Sequence, residues 1–264
     1  MAFDFHNNAA TYFQFQFENA KKYVVPYVKE FVSLKEGTKV LEIGCGEAGV
    51  LKAFTELGCI CTGIELHNSR LDDARALMKD ELAAEKIQFI NRNIYDIDTE
   101  KDLAYKYDLI ILKDVIEHIP QQEEFMRRLQ SFLAENGIVF FGFPPWQMPF
   151  GGHQQICKSK FLSLLPYYHL LPMPLYLGVL KLLGEHENTI NELKEIKETG
   201  ISIERFEKIC VNEKFKIHQK TFYLINPIYE YKFGLKVRKQ FAFIGSIPFV
   251  RNFFTTAVYY LIGK

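Results

Sequence analysis

The run of residues 40–50 carries the residue types best suited to holding a ligand. An apolar stretch there ends at Glu42, a Gly-x-Gly-x-x-Gly turn begins at Gly44, and a helical pattern follows from Val50. Glycine lets the backbone approach a ligand closely, and the N-terminus of the next helix offers free N–H groups to an anion. Alone, the glycine pattern is weak evidence, because dinucleotide-binding enzymes use it too. The glycine pattern becomes strong evidence because Glu42 precedes it and three further features follow it in the expected order.

A second acidic residue, Glu65, ends the short apolar stretch of residues 59–66. A carboxylate at the C-terminal edge of a strand can accept hydrogen bonds from both hydroxyls of a ribose. Residues 87–94 are a third strand that runs into a polar turn, and residues 107–113 are a buried fourth strand followed by the charged loop 114–120. This order of strands, glycine loop and helices predicts the front half of a doubly wound α/β sheet.

Two histidines lie where such a sheet binds its ligands, at the carboxyl edge of the strands. His118 follows the fourth strand, and His153 lies in a Gly-Gly-His loop after the fifth. Imidazole titrates near neutrality, so either residue could act as a general base, although each could also be structural. Asp114 and Glu117 are weaker candidates that could simply orient a histidine. No spacing of ligating residues matches a metal-binding motif, so we predict no metal.

With these motifs, the chain resembles the class I S-adenosylmethionine-dependent methyltransferases, and most of all the small-molecule group that includes the quinone-biosynthesis enzymes. The resemblance covers residues 37–145 and continues weakly near 202–224 and 255–262. It implies a doubly wound, seven-stranded, mostly parallel Rossmann-like sheet. Its last strand would run antiparallel between the fifth and sixth strands. The implied cofactor is S-adenosylmethionine.

The resemblance also implies roles for single residues. Gly44 and Gly46 would lie against the methionine part of the cofactor, Glu65 would bind its ribose, and Leu66 would lie beside the adenine. The end of the fourth strand, at Lys113, is where a backbone carbonyl usually contacts the cofactor.

Asn93 and Ile94 stand where the family often has an acidic residue and a small or apolar one around the adenine. An amide can both donate and accept, so Asn93 can still hold an adenine amino group. The complete predicted cofactor-binding set is Glu42, Gly44, Cys45, Gly46, Glu65, Leu66, Asn93, Ile94, Lys113 and Tyr12.

Residues 1–36 are predicted to form N-terminal helices, broken near Pro26, and the resemblance implies that they lie over the cofactor as a lid. Aromatic side chains four residues apart, such as Phe13 and Phe17, favour helical faces. Packing of the same helices on the sheet edge is an equal alternative. Tyr12 is the residue of this segment that we expect to contact the cofactor.

Residues 146–200 are predicted to be an apolar insertion in the core domain of residues 37–145. No Asp, Glu, Lys or Arg occurs from residue 161 to 180. The stretch is long enough to span a bilayer, but three prolines interrupt it. We therefore expect a cap over the acceptor pocket; peripheral contact of residues 161–180 with a membrane is the alternative.

Residues 201–264 are predicted to complete the core sheet. They contain a helix from residue 203 to 211, a sixth strand from 215 to 225 and the last strand from 255 to 262. The link between the two strands is longer than a hairpin needs. Its residues Lys232, Lys236, Arg238 and Lys239 are interpreted as a solvated cluster.

Composition excludes some classes of function. The 264 residues include 32 Lys and Arg against 32 Asp and Glu, so no overall basic field attracts nucleic acid. The five cysteines form neither Cys-x-x-Cys pairs nor an even framework and are interpreted as reduced thiols of a cytoplasmic protein. The N-terminus shows no secretion signal.

Together these features predict an S-adenosylmethionine-dependent methyltransferase that acts on a small, apolar or aromatic acceptor. Oxygen is the predicted atom of methylation, ahead of carbon and nitrogen. A membrane-associated methyltransferase of a lipid or prenylated quinone and a non-catalytic S-adenosylmethionine-binding protein are the alternatives. A nicotinamide-dependent enzyme is disfavoured, because hydride transfer has no need of the charged loop at 114–120. The oligomeric state and the acceptor's identity are left open.

Overall fold

The structure, a computed structural model, describes residues 8–264 and contains one eight-stranded sheet. The strands are β1 (Lys39–Ile43), β2 (Ile60–Ile64), β3 (Ile87–Ile90), β4 (Tyr107–Lys113), β5 (Leu133–Phe143), β6 (Lys216–Ile225), β7 (Arg238–Lys239) and β8 (Ala257–Gly263). The helices are α1 (Ala9–Asn19), α2 (Val25–Lys29), α3 (Gly49–Thr55), α4 (Asn68–Leu77), α5 (Lys79–Ala83), α6 (Gln122–Phe132), α7 (Lys160–Leu164), α8 (Met173–Leu182), α9 (Glu187–Thr199), α10 (Ile203–Asn212), α11 (Tyr229–Phe233), α12 (Ala242–Gly245) and α13 (Val250–Phe253).

The strand order is β3-β2-β1-β4-β5-β8-β6-β7, with β1 to β5 parallel. Strand β8 runs antiparallel between β5 and β6. This topology confirms the predicted α/β fold and its antiparallel last strand. The predicted count of seven strands is one too low, because the two-residue β7 pairs with the outer edge of β6. The strand order reverses between β1 and β4, and open α/β sheets bind ligands outside the strand ends at such a point.

The central strands are apolar on both faces because helices cover both faces of the sheet. In β4, Leu109 and Ile111 pack with the α1 to α4 side, whereas Ile110 and Leu112 pack with the α6 and α10 side. Successive side chains of a strand point to opposite faces, so one strand contributes side chains to both cores. These cores hold the carboxyl ends of β1, β2 and β4 in place.

The N-terminal helical segment does not stop near Pro26, where a break was predicted. A π-helical turn at Ala20–Val24 joins α1 to α2, and the Val25 N–H donates to the Ala20 carbonyl. Pro26 then lies within the first turn of α2, and the helical segment continues through it to Lys29. The first seven residues of the predicted lid segment lie outside the described residues.

The segment after β5 builds a small core of its own. Its buried side chains include Leu162, Tyr176 and Leu193. Its two ends meet, because the Trp146 N–H donates to the Ile201 carbonyl at 2.8 Å. In residues 8–264, no helix is both long and apolar enough to cross a membrane.

Candidate active site

The glycine turn at the end of β1 has a backbone that only glycine adopts easily. Gly44 and Gly46 have φ of 70° and 52°, and a Cβ at Gly44 would lie 2.7 Å from Val115 Cγ2. The N–H groups of Gly44 and Cys45 both donate to the Ile64 carbonyl, at 2.8 and 3.1 Å. These bonds tie the turn to the end of β2. Burial raises the pKa of the Cys45 thiol well above its usual value, so this cysteine stays protonated.

Glu65, the predicted ribose acid, is buried at the end of β2 and organises the backbone around it. One carboxylate oxygen accepts from the Gly46 N–H at 3.0 Å. The other accepts from the N–H groups of Leu66 and His67, at 2.8 and 3.0 Å. Glu65 therefore links the glycine turn to the chain entering α4.

Glu42 and Lys113, on neighbouring strands, place opposite charges inside the site. Glu42 is 3% exposed, and its Oε2 atom has no hydrogen-bond partner among the described residues. Burial raises the pKa of the Glu42 carboxyl well above its usual value, although Lys113 opposes the shift. A buried carboxyl with an unused oxygen is costly unless a ligand completes it.

Lys113 itself is bound to the next residue. Its Nζ lies 2.6 Å from Asp114 Oδ2, and the Asp114 backbone has φ of 57°. Burial alone would raise the pKa of the Asp114 carboxyl, but the Lys113 ammonium lowers it below its usual value. A non-glycine residue in this left-handed conformation often marks a functional loop.

Helix α1 closes the site from above. The Gln16 amide donates to the Tyr12 hydroxyl at 2.9 Å, and both residues line the same pocket as Glu42, Gly44 and Lys113. Burial raises the pKa of the Tyr12 hydroxyl, so it stays protonated near neutrality. The structure thus brings Tyr12 to the predicted cofactor residues.

Arg70, on α4, is a site residue that the sequence reasoning missed. Its guanidinium binds Glu47 at 2.9 and 3.1 Å and lies 3.9 Å from Glu65. It lies across Gly46, so a Cβ at that position would collide with it. The arrangement places a cation beside the predicted ribose site. The available signal was its spacing: Arg70 lies five residues after Glu65, in the first turn of the next helix.

The predicted adenine side is more open. Leu66 is 60% exposed, and Ile94 is buried. The Asn93 side chain accepts from the Tyr95 N–H at 3.0 Å and caps a short helical turn. Asn91, which the sequence reasoning did not select, donates to the carbonyls of Glu65 and Leu66, both at 2.9 Å. Asn91 therefore supports the loop on which the adenine contacts were predicted.

The two candidate bases, 35 residues apart in sequence, meet in space. The rings of His118 and His153 are 4.8 Å apart and nearly perpendicular. Burial lowers the pKa of His153 to about 3, and it lowers the pKa of His118 even though part of the His118 side chain is exposed to solvent. Both imidazoles are neutral near pH 7, which is the form that accepts a proton.

Glu117 completes a cluster with the two histidines. One ligand atom from each of Glu117, His118 and His153 lies within 4.8 Å of the others. Both Glu117 carboxyl oxygens are buried without a hydrogen-bond partner in the part of the chain that is described, and burial raises the pKa of Glu117 well above its usual value. Two imidazoles and a carboxylate could hold a divalent cation. Because these residues meet only through folding, their sequence spacing matched no motif, and metal independence stays a prediction.

Lys232, on α11, also reaches the site and was misread as part of a solvated cluster. Its Nζ lies 5.0 Å from the centre of the Tyr12 ring, and burial lowers its pKa to about 8. The other members, Lys236, Arg238 and Lys239, are exposed as predicted. The segment after β6 therefore contributes to the wall of the site.

Comparison with known proteins agrees with this geometry. A family model described as a methyltransferase domain matches residues 16–154. Over 116 residues the chain is 28% identical to a ubiquinone biosynthesis O-methyltransferase of Coxiella burnetii, covering 44% of this chain and 47% of that protein. Over 112 residues it is 31% identical to (S)-tetrahydroprotoberberine N-methyltransferase of Eschscholzia californica, covering 42% of this chain and 31% of that protein.

The fold has solved counterparts. The crystal structure of an S-adenosylmethionine-dependent methyltransferase from Clostridium acetobutylicum is similar with a TM-score of 0.56 and 11% identity, covering 93% of this chain and 91% of that one. At this identity the likeness shows the fold. The chain spans about half the length of the curated ubiquinone-biosynthesis relatives it matches.

Proposed function

Because the chain belongs to the methyltransferase domain family, we propose that it transfers a methyl group from S-adenosylmethionine to a small, apolar or aromatic acceptor, at oxygen. One observation carries the proposal: Glu42, the glycine turn, Glu65 and Lys113 converge where the strand order reverses. The family match ends at residue 154, so the proposed chemical class of the acceptor rests on the segments after that residue.

The pocket residues fit this cofactor. S-adenosylmethionine carries positive charges on its sulfonium and amino groups, and Glu42 offers a buried carboxyl oxygen without a partner among residues 8–264. A nearby cation would favour the ionised form of Glu42. Gly44 and Tyr12 line the same pocket, and Glu65, held by three backbone N–H groups at its edge, would accept from the ribose hydroxyls through its remaining lone pairs. Leu66, Asn93 and Ile94 would surround the adenine.

When bound, the cofactor supplies an electrophilic methyl group, so that catalysis requires chiefly an aligned nucleophile. Orientation of that kind supplies on the order of 7–11 kcal/mol in the best cases. The residues of this chain hold the acceptor in line and exclude water from it. Helix α1 covers one side, and we propose that the insertion at 146–200 covers the other as a cap.

A hydroxyl acceptor also needs to lose its proton. We assign that proton to His118 Nδ1 or Nε2, because the His118 ring is neutral and exposed, four residues after Asp114 of the pocket. His153, with its ring 4.8 Å away, then limits how the His118 ring can turn. Two neutral imidazoles support oxygen over nitrogen, since a neutral amine can attack before it loses a proton.

The test is formation of S-adenosylhomocysteine, measured by mass spectrometry, with matched panels of hydroxylated and aminated aromatic acceptors. We expect product with hydroxylated acceptors and less with the amines. Product with amines alone would contradict the assignment to oxygen. Binding of S-adenosylmethionine without turnover on either panel would favour the non-catalytic alternative.

A further inference from the structure

Two segments far apart in sequence expose most of the large apolar side chains on the molecule. Of the 19 exposed large hydrophobic residues in the described chain, six lie in residues 161–183 and seven in residues 241–254. The most exposed include Phe161 at 65%, Phe243 at 67% and Phe249 at 70%. Isolated exposed apolar residues are ordinary, but such a concentration marks an interaction site.

The two segments touch, so that they form one surface. The Tyr167 hydroxyl donates to the Phe253 carbonyl at 3.1 Å, and the two rings are 6.3 Å apart. Phe161 and Leu164 lie three residues apart on α7 and therefore share a face of that helix. We call the exposed side chains of residues 161–167 and 241–254 the apolar surface.

The two segments of the apolar surface carry charges of a single sign, and the acids Glu204 and Glu207 of α10 that reach α13 are paired with Arg251. Neither residues 156–184 nor residues 234–264 contain an Asp or a Glu. The exposed cations Lys158, Lys160 and Lys181 belong to the first segment, and Lys236 and Lys239 to the second. An apolar, aromatic-rich surface whose own segments add lysines and no acids suits an anionic lipid bilayer.

We propose that the apolar surface docks the protein on an anionic membrane. Protein interfaces are depleted of lysine, whereas a membrane surface attracts each nearby lysine. The prediction from sequence covered only residues 161–180; residues 241–254 add the larger share of exposed aromatics. No contact made by the cofactor pocket is needed for this docking.

The position of the apolar surface also links docking to the active site, a step that rests on the proposed function. Both of its segments continue from site residues: Phe161 follows His153 by eight positions, and Phe241 follows Lys232 by nine. Residues 153–161 and 232–241 thus connect the acceptor side of the pocket to the bilayer. The acceptor class would be a membrane-dissolved aromatic or lipid hydroxyl.

Co-sedimentation with vesicles tests the docking directly. The full chain is mixed with vesicles of phosphatidylcholine alone or with about one-third phosphatidylglycerol, and the bound fraction is measured. We expect binding to the anionic vesicles that weakens as salt rises, because salt screens the lysines. The double variant Phe243→Ser and Phe249→Asn should bind at least about tenfold more weakly; Asn tolerates the left-handed backbone of residue 249.

Val211→Ser is the matched control, since Val211 is 71% exposed on α10 and lies outside the apolar surface. It should bind vesicles like the original chain. Failure of the original chain to bind anionic vesicles, or equal binding by the double variant, would overturn the proposal. Concentration-dependent dimers that the double variant abolishes, without vesicle binding, would instead assign the surface to a second copy. Cofactor binding is measured separately by calorimetry. Loss of vesicle binding with intact cofactor binding concerns the docking alone, whereas absence of cofactor binding concerns the proposed function.

Discussion

At the scale of single residues, Glu65 has two roles. It organises three backbone N–H groups, and it lies where the ribose is expected. Glu65→Ala should weaken S-adenosylmethionine binding by about 1.5–3 kcal/mol, the range for a hydrogen bond to a charged group. Isothermal calorimetry measures the effect. Glu65→Gln, which keeps one acceptor oxygen, should lose less, and unchanged affinity in the alanine variant would refute the ribose role.

The histidine pair predicts a pH dependence. Burial lowers the pKa of His118 from its usual value near 6.5, so the neutral base persists into mildly acidic solution. The acidic limb of the turnover rate should therefore fall below pH 6.5. His118→Asn should lower turnover about a hundredfold while cofactor affinity stays the same. A stopped-flow or steady-state profile whose acidic limb lies above pH 6.5, or full turnover in the variant, would remove His118 from the mechanism.

The cluster of Glu117, His118 and His153 makes metal independence testable. We predict that dialysis against a chelator leaves turnover and melting temperature unchanged. Neutral histidines and a protonated Glu117 need no cation to balance a charge. Loss of activity that zinc or manganese restores would show that the cluster is a metal site and that the prediction is wrong.

Some of these residues could be found from sequence and others could not. Gly44, Gly46 and Glu65 follow strands at fixed local spacing, and the structure brings them together as expected. Arg70 and Lys232 reach the site from helices whose orientation depends on tertiary packing. A lysine in a charged segment usually stays solvated, so nothing local separated Lys232 from Lys236.

At the scale of elements, α1 lies so close to α3 that only glycine fits between them. A Cβ at Gly49 would collide with the Phe13 carbonyl. The third glycine of the motif therefore serves helix packing, and it places Tyr12 over the pocket. The order and approximate positions of the core strands were predictable from their apolar patterns, although the third strand ends at Ile90 rather than near residue 94. The π turn before Pro26 was not, since it depends on how α1 and α2 pack against the sheet.

Gly49→Ala should displace α1, lowering the melting temperature and weakening cofactor binding together. Gly178→Ala is the matched control, because it lies inside α8 with no atom of the described residues within 4 Å of the added Cβ. Alanine is favoured over glycine inside a helix by roughly 0.5–1 kcal/mol, so the control should be neutral or stabilised. Calorimetric melting and titration of both variants check this. Equal behaviour of the two would show that α1 does not depend on Gly49.

At the scale of the whole molecule, a family-typical core carries two additions that lie mostly beyond the family match at residues 16–154. The core places the cofactor residues where the strand order reverses, and this part followed from the order of motifs. The segments at 146–200 and 226–254 add the second histidine, Lys232 and the apolar surface. Acceptor choice and membrane contact, as proposed, both depend on these additions.

The central claim is that the pocket beneath α1 binds S-adenosylmethionine. Calorimetric titration of the purified chain with S-adenosylmethionine and with S-adenosylhomocysteine tests it most directly. We expect saturable binding of both at one site per chain, weakened by Glu65→Ala. No heat and no thermal shift with either compound would contradict the account.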